Sequence, residues 1–272
     1  TREGTVGRPF PGVTAKIVDP DTGRELGTNE DGLLWIKGPN VMKGYLNNPE
    51  ATAEAVAWYV DHLGGERIGS QDRLRFGSTL IIFFKREAGF AGSEGSSVDH
   101  IGFSVPNLDA KMAELRDAGI KILADVKEVP GKFKYAFIED PWGTKIEIME
   151  DTQTLGFHHI HLKGPEPAKL LDWYENAFGG ERTQFHGILD AIDYNGVWLL
   201  AMPADGPMAP TKDRAIDHLG WGVRDMEADA KVLKEKGVQF TMEPRPFNPD
   251  VAIAIAFVEG PGGVRIELVQ RP

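Results

Sequence analysis

The sequence predicts an α+β protein assembled from repeated β-α-β-β-β units, and three observations predict it. His100, His159 and His218 stand 59 residues apart, each inside a run that reads as a strand: Val-Asp-His-Ile-Gly-Phe at 98–103, His-His-Ile-His-Leu at 158–162 and Ile-Asp-His-Leu-Gly-Trp at 216–221. Equal spacing in equal context marks a repeated structural unit. Each run is followed by a segment of helical period that glycine stops, at Gly119, Gly179 and Gly237. Two of the repeats close on a turn that leads into Ile-Glu: Pro141-Trp142-Gly143 before Ile146-Glu147, and Gly260-Pro261-Gly262-Gly263 before Ile266-Glu267.

Taken in order, the elements begin with a helix over 51–63. Trp58-Tyr59 and Gly64-Gly65-Glu66-Arg67 match Trp173-Tyr174 and Gly179-Gly180-Glu181-Arg182, so 58–97 is the back of a unit without its first strand. Counted from the repeat, the missing histidine falls at Val41 or at Gly44. The second unit has a strand at 98–105, a helix at 108–118 and strands at 134–138 and 145–149. In the third, a strand at 157–163 precedes a helix at 169–178, where Leu170, Leu171, Tyr174 and Phe178 keep helical spacing. Strands at 181–187, 189–194 and 197–202 follow, the last two joined by the hairpin turn Asn195-Gly196. Pro203, Pro207 and Pro210 mark an irregular connection. The fourth unit has a strand at 216–223, a helix at 226–236 and strands at 238–243, 252–258 and 264–270.

Bulk properties narrow the function. A chain of 272 residues with 41% hydrophobic content supports two ordinary domains with real cores. The absence of cysteine excludes disulfides, thiolate metal sites and cysteine nucleophiles. A net charge of −11 argues against nucleic acid and anionic membrane as partners, since both reward a basic patch. No apolar run approaches the roughly 20 residues of a membrane span. No signal peptide is visible, and a cytoplasmic location is expected, although the chain opens on Thr1 and sequence upstream is expected to be missing.

Histidine on a first strand and glutamate on a last strand, in paired β-α-β-β-β units, resemble the vicinal oxygen chelate superfamily of glyoxalase I, extradiol dioxygenases, epimerases and antibiotic-resistance proteins. The resemblance covers about 57–272. It implies two cup-shaped domains, an incomplete first at 56–151 and a complete second at 155–272, with a metal ion in the cup. Residues 1–55 resemble something else. Gly4-Thr5-Val6-Gly7-Arg8-Pro9, Gly32-Leu33-Leu34-Trp35-Ile36-Lys37-Gly38 and Val41-Met42-Lys43-Gly44-Tyr45 are similar to a small β-rich piece of the adenylate-forming acyl-CoA synthetases. The family's phosphate-binding loop, threonine-glutamate motif and aspartate motif are absent, so no adenylation is expected from this piece and the chain reads as a chimera.

For the complete cup the resemblance implies His159, His218 and Glu267 as metal ligands. Two histidines and a carboxylate with open positions suit Fe(II) or Mn(II), with Zn(II), Co(II) or Ni(II) also compatible. Open positions admit a small substrate that chelates through adjacent oxygens. His161, two residues along the strand from His159, faces the same way and is the candidate base or substrate contact. His158 is expected to face away. His100 and Glu147 are expected to be relics of a cup with two ligands of three. His186, Asp190, Asp193, Tyr194, Trp198 and Trp221 are candidate lining residues, each as readily structural.

The resemblance leaves several chemistries open. Extradiol enzymes carry a tyrosine about ten residues before the last glutamate, where this chain has Phe257, so catechol cleavage loses a group it uses. Isomerisation or lyase chemistry needs a base beside the metal, and hydrolysis needs only metal-activated water. A drug-sequestering resistance protein needs no metal and generally lacks the ligand set. A homodimer is expected, because cups of this family often pair.

Overall fold

The computed structural model describes residues 14–18, 33–37, 49–69, 72–84, 90–248 and 251–271. Val41 and Gly44, the positions of the missing first-strand histidine, lie outside the described residues. In the synthetase-like piece, β1 (Thr14–Val18) and β2 (Leu33–Lys37) pair antiparallel. Unit one follows with α1 (Pro49–Leu63) and a small antiparallel sheet of β3 (Glu66–Arg67), β4 (Arg73–Phe76) and β5 (Thr79–Ile82).

Unit two comprises β6 (Val98–Val105), α2 (Leu108–Asp117), β7 (Lys121–Val129), β8 (Phe133–Glu139) and β9 (Lys145–Glu150). Unit three comprises β10 (Gly156–Gly164), α3 (Pro167–Phe178), β11 (Glu181–Phe185), β12 (Leu189–Asp193) and β13 (Trp198–Pro203). Unit four comprises β14 (Leu219–Val223), α4 (Met226–Glu235), β15 (Gln239–Asn248), β16 (Val251–Gly260) and β17 (Val264–Gln270). The expected elements are present, and β7, which lacks a clear alternation, is an addition to them.

Local chemistry explains the helix ends. The Asn107 side chain accepts from Ala110 N (2.9 Å) at the start of α2, and Asp225 accepts from Ala228 N (3.1 Å) at the start of α4. Pro167 opens α3, where its missing N–H costs nothing. Gly119 and Gly237 take positive φ (73° and 82°) just past the last turns, a conformation that glycine adopts without strain.

In each complete unit the first strand runs parallel to the last: β6 beside β9, β10 beside β13 and β14 beside β17. One eight-stranded sheet, ordered β11-β12-β13-β10-β6-β9-β8-β7, then joins units two and three through an antiparallel β6–β10 pair. This differs from the expected grouping, in which units three and four share a cup. The two faces of the units obey different rules. On the helix side, Val56, Tyr59 and Leu74 of unit one pack with Phe103, Leu108 and Met112 of unit two. Leu171, Tyr174 and Leu199 of unit three likewise pack with Leu219, Leu233 and Ile266 of unit four. On the opposite face, units two and three meet: Met149, Phe185, Ala191 and Leu200 form a separate cluster, with Phe133, Tyr135 and Trp198 against it. Alternation along the strands produces this division, since Ile148 and Leu199 point to the helices while Met149 and Leu200 point into the cup.

Candidate metal centre

Register places the site. Glu147 of β9 lies opposite Gly102 of β6, and Gly102 lies opposite His159 of β10. His100, two residues before Gly102 on the same face, lies opposite His161. Four potential ligands from three adjacent strands therefore converge, with one ligand atom of each within 4.8 Å of the others; they are the one such group found among the described residues. All four are buried, His159 to 1% exposure and Glu147 to 7%. Gly102 makes this possible. A Cβ there would stand 2.0 Å from His159 Cε1, so the imidazole lies across the strand where any other residue would project.

Hydrogen bonds define the interior. His100 Nδ1 is 2.9 Å from Asp99 Oδ2, and its Nε2 is 3.0 Å from Glu147 Oε2 and 3.1 Å from His161 Nδ1. Asp99 is the extra residue of a β-bulge, because the register steps from His161↔His100 to Leu162↔Val98. Lys145 Nζ, 3.0 Å from Asp99 Oδ2, supplies the compensating cation. A carboxylate behind a ligand imidazole fixes its tautomer and orientation, and Asp99 takes that place behind His100.

Electrostatics follow from burial and pairing. Burial raises the Asp99 carboxyl, but the hydrogen bond and charge of His100, then Lys145, outweigh it and hold the group well below the usual carboxylate range. Glu147 behaves alike: burial pushes it up, and His159 and His100 pull it far down. Burial lowers His100, but Asp99 and Glu147 overcome this and raise it above its ordinary value. His161 has no such partner, and burial, followed by the charges of His100 and His159, lowers it well below normal. It is neutral at pH 7.

The residues present fit a divalent cation. His159 Nε2 is buried without a hydrogen-bond partner, 3.4 Å from Glu147 Oε2, although a buried polar atom in this position is costly to leave unpaired. Three imidazoles and a carboxylate, with a carboxylate behind one of them, are a donor set for a borderline divalent ion.

Of the three expected ligands, the structure does not gather His159 with His218 and Glu267. His159 sits with His100, Glu147 and His161, because β10 pairs with β6 rather than with β14. His218 and Glu267 form a separate pair, His218 Nε2 lying 3.5 Å from Glu267 Oε2. Asp217 stands 2.7 Å behind His218 Nδ1, as Asp99 stands behind His100. Burial lowers His218, and Asp217 and Glu267 outweigh it to raise it. The Phe84 ring is 5.8 Å and the Phe257 ring 5.5 Å from His218. His100 and Glu147, expected to be relics, are at the centre of the cluster instead.

Other expectations divide. His158 does not face away; a bulge turns its ring against His159. Trp198 lines the cup, whereas Trp221 stacks on Phe178 (4.5 Å) in the helix-side core. His186 lies in the turn after β11 with φ of 48°, and Asp190 is paired with Arg182. Asp99 and Gly102 were not among the candidates. Their signal was the shared Asp-His-x-Gly of 99–102 and 217–220.

Comparison with known proteins agrees with the fold. Residues 49–148 and 156–268 match the family model of the Glyoxalase/Bleomycin resistance protein/Dioxygenase superfamily, and 1–46 match that of AMP-binding enzymes. Glyoxalase I from Zea mays superposes with a TM-score of 0.63 at 18% identity, over 79% of this chain and 87% of that one. A putative dioxygenase from Bacillus subtilis gives 0.57 at 20% identity, over 81% of each chain. Likeness at these identities concerns the fold. Curated relatives match the N-terminal piece: 4-coumarate–CoA ligase-like 2 of Arabidopsis thaliana is 58% identical over 55 residues, 20% of this chain and 10% of that protein. Luciferin 4-monooxygenase of Photinus pyralis is 53% identical over 51 residues, 19% of this chain and 9% of that protein. The chain thus spans about a tenth of the length of these curated relatives. Beyond this short synthetase-like piece, the chain belongs to the glyoxalase/bleomycin resistance protein/dioxygenase superfamily.

Proposed function

We propose that the chain is a divalent-metal-dependent enzyme that holds its ion on His100, His159 and Glu147 and takes a small substrate with two adjacent oxygens. The observation that carries this is the convergence of four buried ligand groups around a histidine nitrogen without a partner. When bound, the ion would polarise a substrate oxygen and acidify the groups next to it. His161 supplies the base. Kept neutral by burial, with its Nδ1 3.1 Å from His100 Nε2, its imidazole stands beside the ligand set and would take a proton from a substrate held at the ion. Asp99 holds the His100 ring, Phe137 lies 5.1 Å from it, and Phe133, Tyr135, Phe185 and Trp198 pack together on the cup side as apolar surface that favours a ring-bearing or apolar substrate body. Fe(II) or Mn(II) suits the set best.

Proton transfer, by isomerisation or elimination, is the reaction class this arrangement favours. Oxygen-dependent ring cleavage is less well served, because the residue across from Glu147 on β8 is Phe137, which has no hydroxyl. Metal analysis of the purified protein, loaded in turn with Fe(II), Mn(II) and Zn(II), tests the proposal. One ion per chain is expected, lost in His159→Ala and Glu147→Ala and kept in His218→Ala. An ion that survives Glu147→Ala but leaves with His218→Ala would move the centre to the His218–Glu267 pair. Ligand binding with no metal at all would favour the drug-sequestering alternative.

A further inference from the structure

We propose that His158, backed by Asp151, is a positioning residue that fixes the tautomer and ring orientation of His159. The proposal rests on the metal-centre reading given above.

The β10–β6 register steps from Phe157↔Phe103 to His159↔Gly102, so His158 is the extra residue of a bulge. Bulges re-aim side chains that strict alternation would send elsewhere. Here the bulge brings His158 Nδ1 to 3.0 Å from His159 Nδ1, with the rings nearly perpendicular at 88°. His158 is fully buried, its ring 5.4 Å from that of Phe185, and its Nε2, which makes no hydrogen bond, faces Asp151 Oδ2 at 3.4 Å.

Two Nδ1 atoms in contact need one proton between them. If His159 donates, its Nε2 keeps the lone pair, and that is the atom beside Glu147 in the cluster. His158 then accepts on Nδ1 and carries its own proton on Nε2, facing the Asp151 carboxylate. The opposite arrangement protonates His159 on the atom needed for a metal and turns a bare His158 nitrogen toward a negative oxygen. The first arrangement leaves the His159 Nε2 lone pair in the cluster and turns the His158 N–H, rather than a lone pair, toward the Asp151 carboxylate 3.4 Å away. His100 receives its orienting carboxylate directly from Asp99; His159 receives one through an intervening imidazole. Partners of this kind are worth about 10- to 100-fold in metal affinity.

The test compares His158→Leu, which removes the acceptor, with His158→Gln, whose side-chain oxygen can still accept from His159. Zn(II) affinity is measured by chelator competition, and the His159 tautomer by nitrogen-15 NMR of the metal-free protein. His158→Leu should weaken binding about 10- to 100-fold and mix the His159 tautomers. His158→Gln should restore most of both, and Asp151→Asn should shift both in the same direction by less. Equal weakening in the Leu and Gln variants, with the tautomer unchanged, would mean a packing role and overturn the proposal, as would wild-type behaviour of His158→Leu. If the wild type binds no metal, the metal-centre reading fails by itself, and the NMR comparison still decides whether His158 sets the tautomer. Should the Leu variant not fold, the Asp151→Asn and Gln variants carry the same comparison.

Discussion

Gly102 and Gly220 occupy the same place in the repeat, two residues after His100 and after His218, yet the structure treats them differently. A Cβ on Gly102 would collide with three atoms of the His159 ring, whereas a Cβ on Gly220 would meet nothing within 4 Å. Gly102→Ala should therefore displace His159 and weaken metal binding at least tenfold, at an overpacking cost of about 1–3 kcal/mol. Gly220→Ala should change neither. Parallel metal titrations and urea midpoints check both, and equal effects would show that glycine matters there only for the backbone. At this scale the sequence was informative about identity. Spacing singled out the histidines, and the family resemblance the two last-strand glutamates. It could not say which histidine meets which glutamate, because that depends on the register between strands of different units. Asp99 and His158 were hidden for a related reason: both sit in bulges, and period-two alternation misassigns the face of a bulged residue.

Helices α1 and α3 share a Trp-Tyr pair that reads alike in sequence and works differently in the fold. The Tyr59 hydroxyl of α1 donates to Asp140 Oδ2 (2.8 Å), tying the helix to the β8–β9 turn, where Asp140 Oδ1 accepts from Trp142 N (2.9 Å) and Thr144 N (2.7 Å). The Tyr174 hydroxyl of α3 is buried without a hydrogen-bond partner. Tyr59→Phe should therefore cost about 1–3 kcal/mol, since it strips a donor from a buried carboxylate. Tyr174→Phe should be nearly neutral. Urea midpoints of the two variants decide, and a larger loss in the second would reverse the assignment. Helix positions were legible in advance, because helical spacing and glycine stops announce them. Strand lengths were less so. β15 and β16 run further than alternation showed, as the two arms of one long hairpin, and β14 begins only at Leu219, after His218. Its one strand partner among the described residues is β17, so little defines its start.

For the whole molecule, the cup links protonation, metal and stability with opposite signs. Without metal, Asp99 and Glu147 raise His100 above its ordinary value, so its contribution is complete below the unfolded value of about 6.5 and is lost as pH rises through the raised one. The metal-free protein should thus lose stability as pH goes from below 6.5 to above the raised value. Metal affinity should rise over the same range, because the ion must displace that proton. Chemical denaturation with chelator and with Mn(II) at both ends of that range tests this, and Asp99→Asn should flatten the metal-free trend; parallel trends with and without metal would refute the linkage. Repetition made the units and their helix-side cores readable, but the sheet that joins units two and three is a long-range pairing with no local signature. That sheet has a consequence for synthesis on the ribosome. When residue 150 emerges, β6 presents a bare edge, the kind of surface that recruits a neighbouring nascent chain. Only the stretch 151–155 separates β9 from β10, and Ser104 Oγ of β6 donates to the Thr154 carbonyl within it. The strand that shields the edge is thus the next one made, and the loop it must close is short. The order of translation keeps the interval of exposure brief.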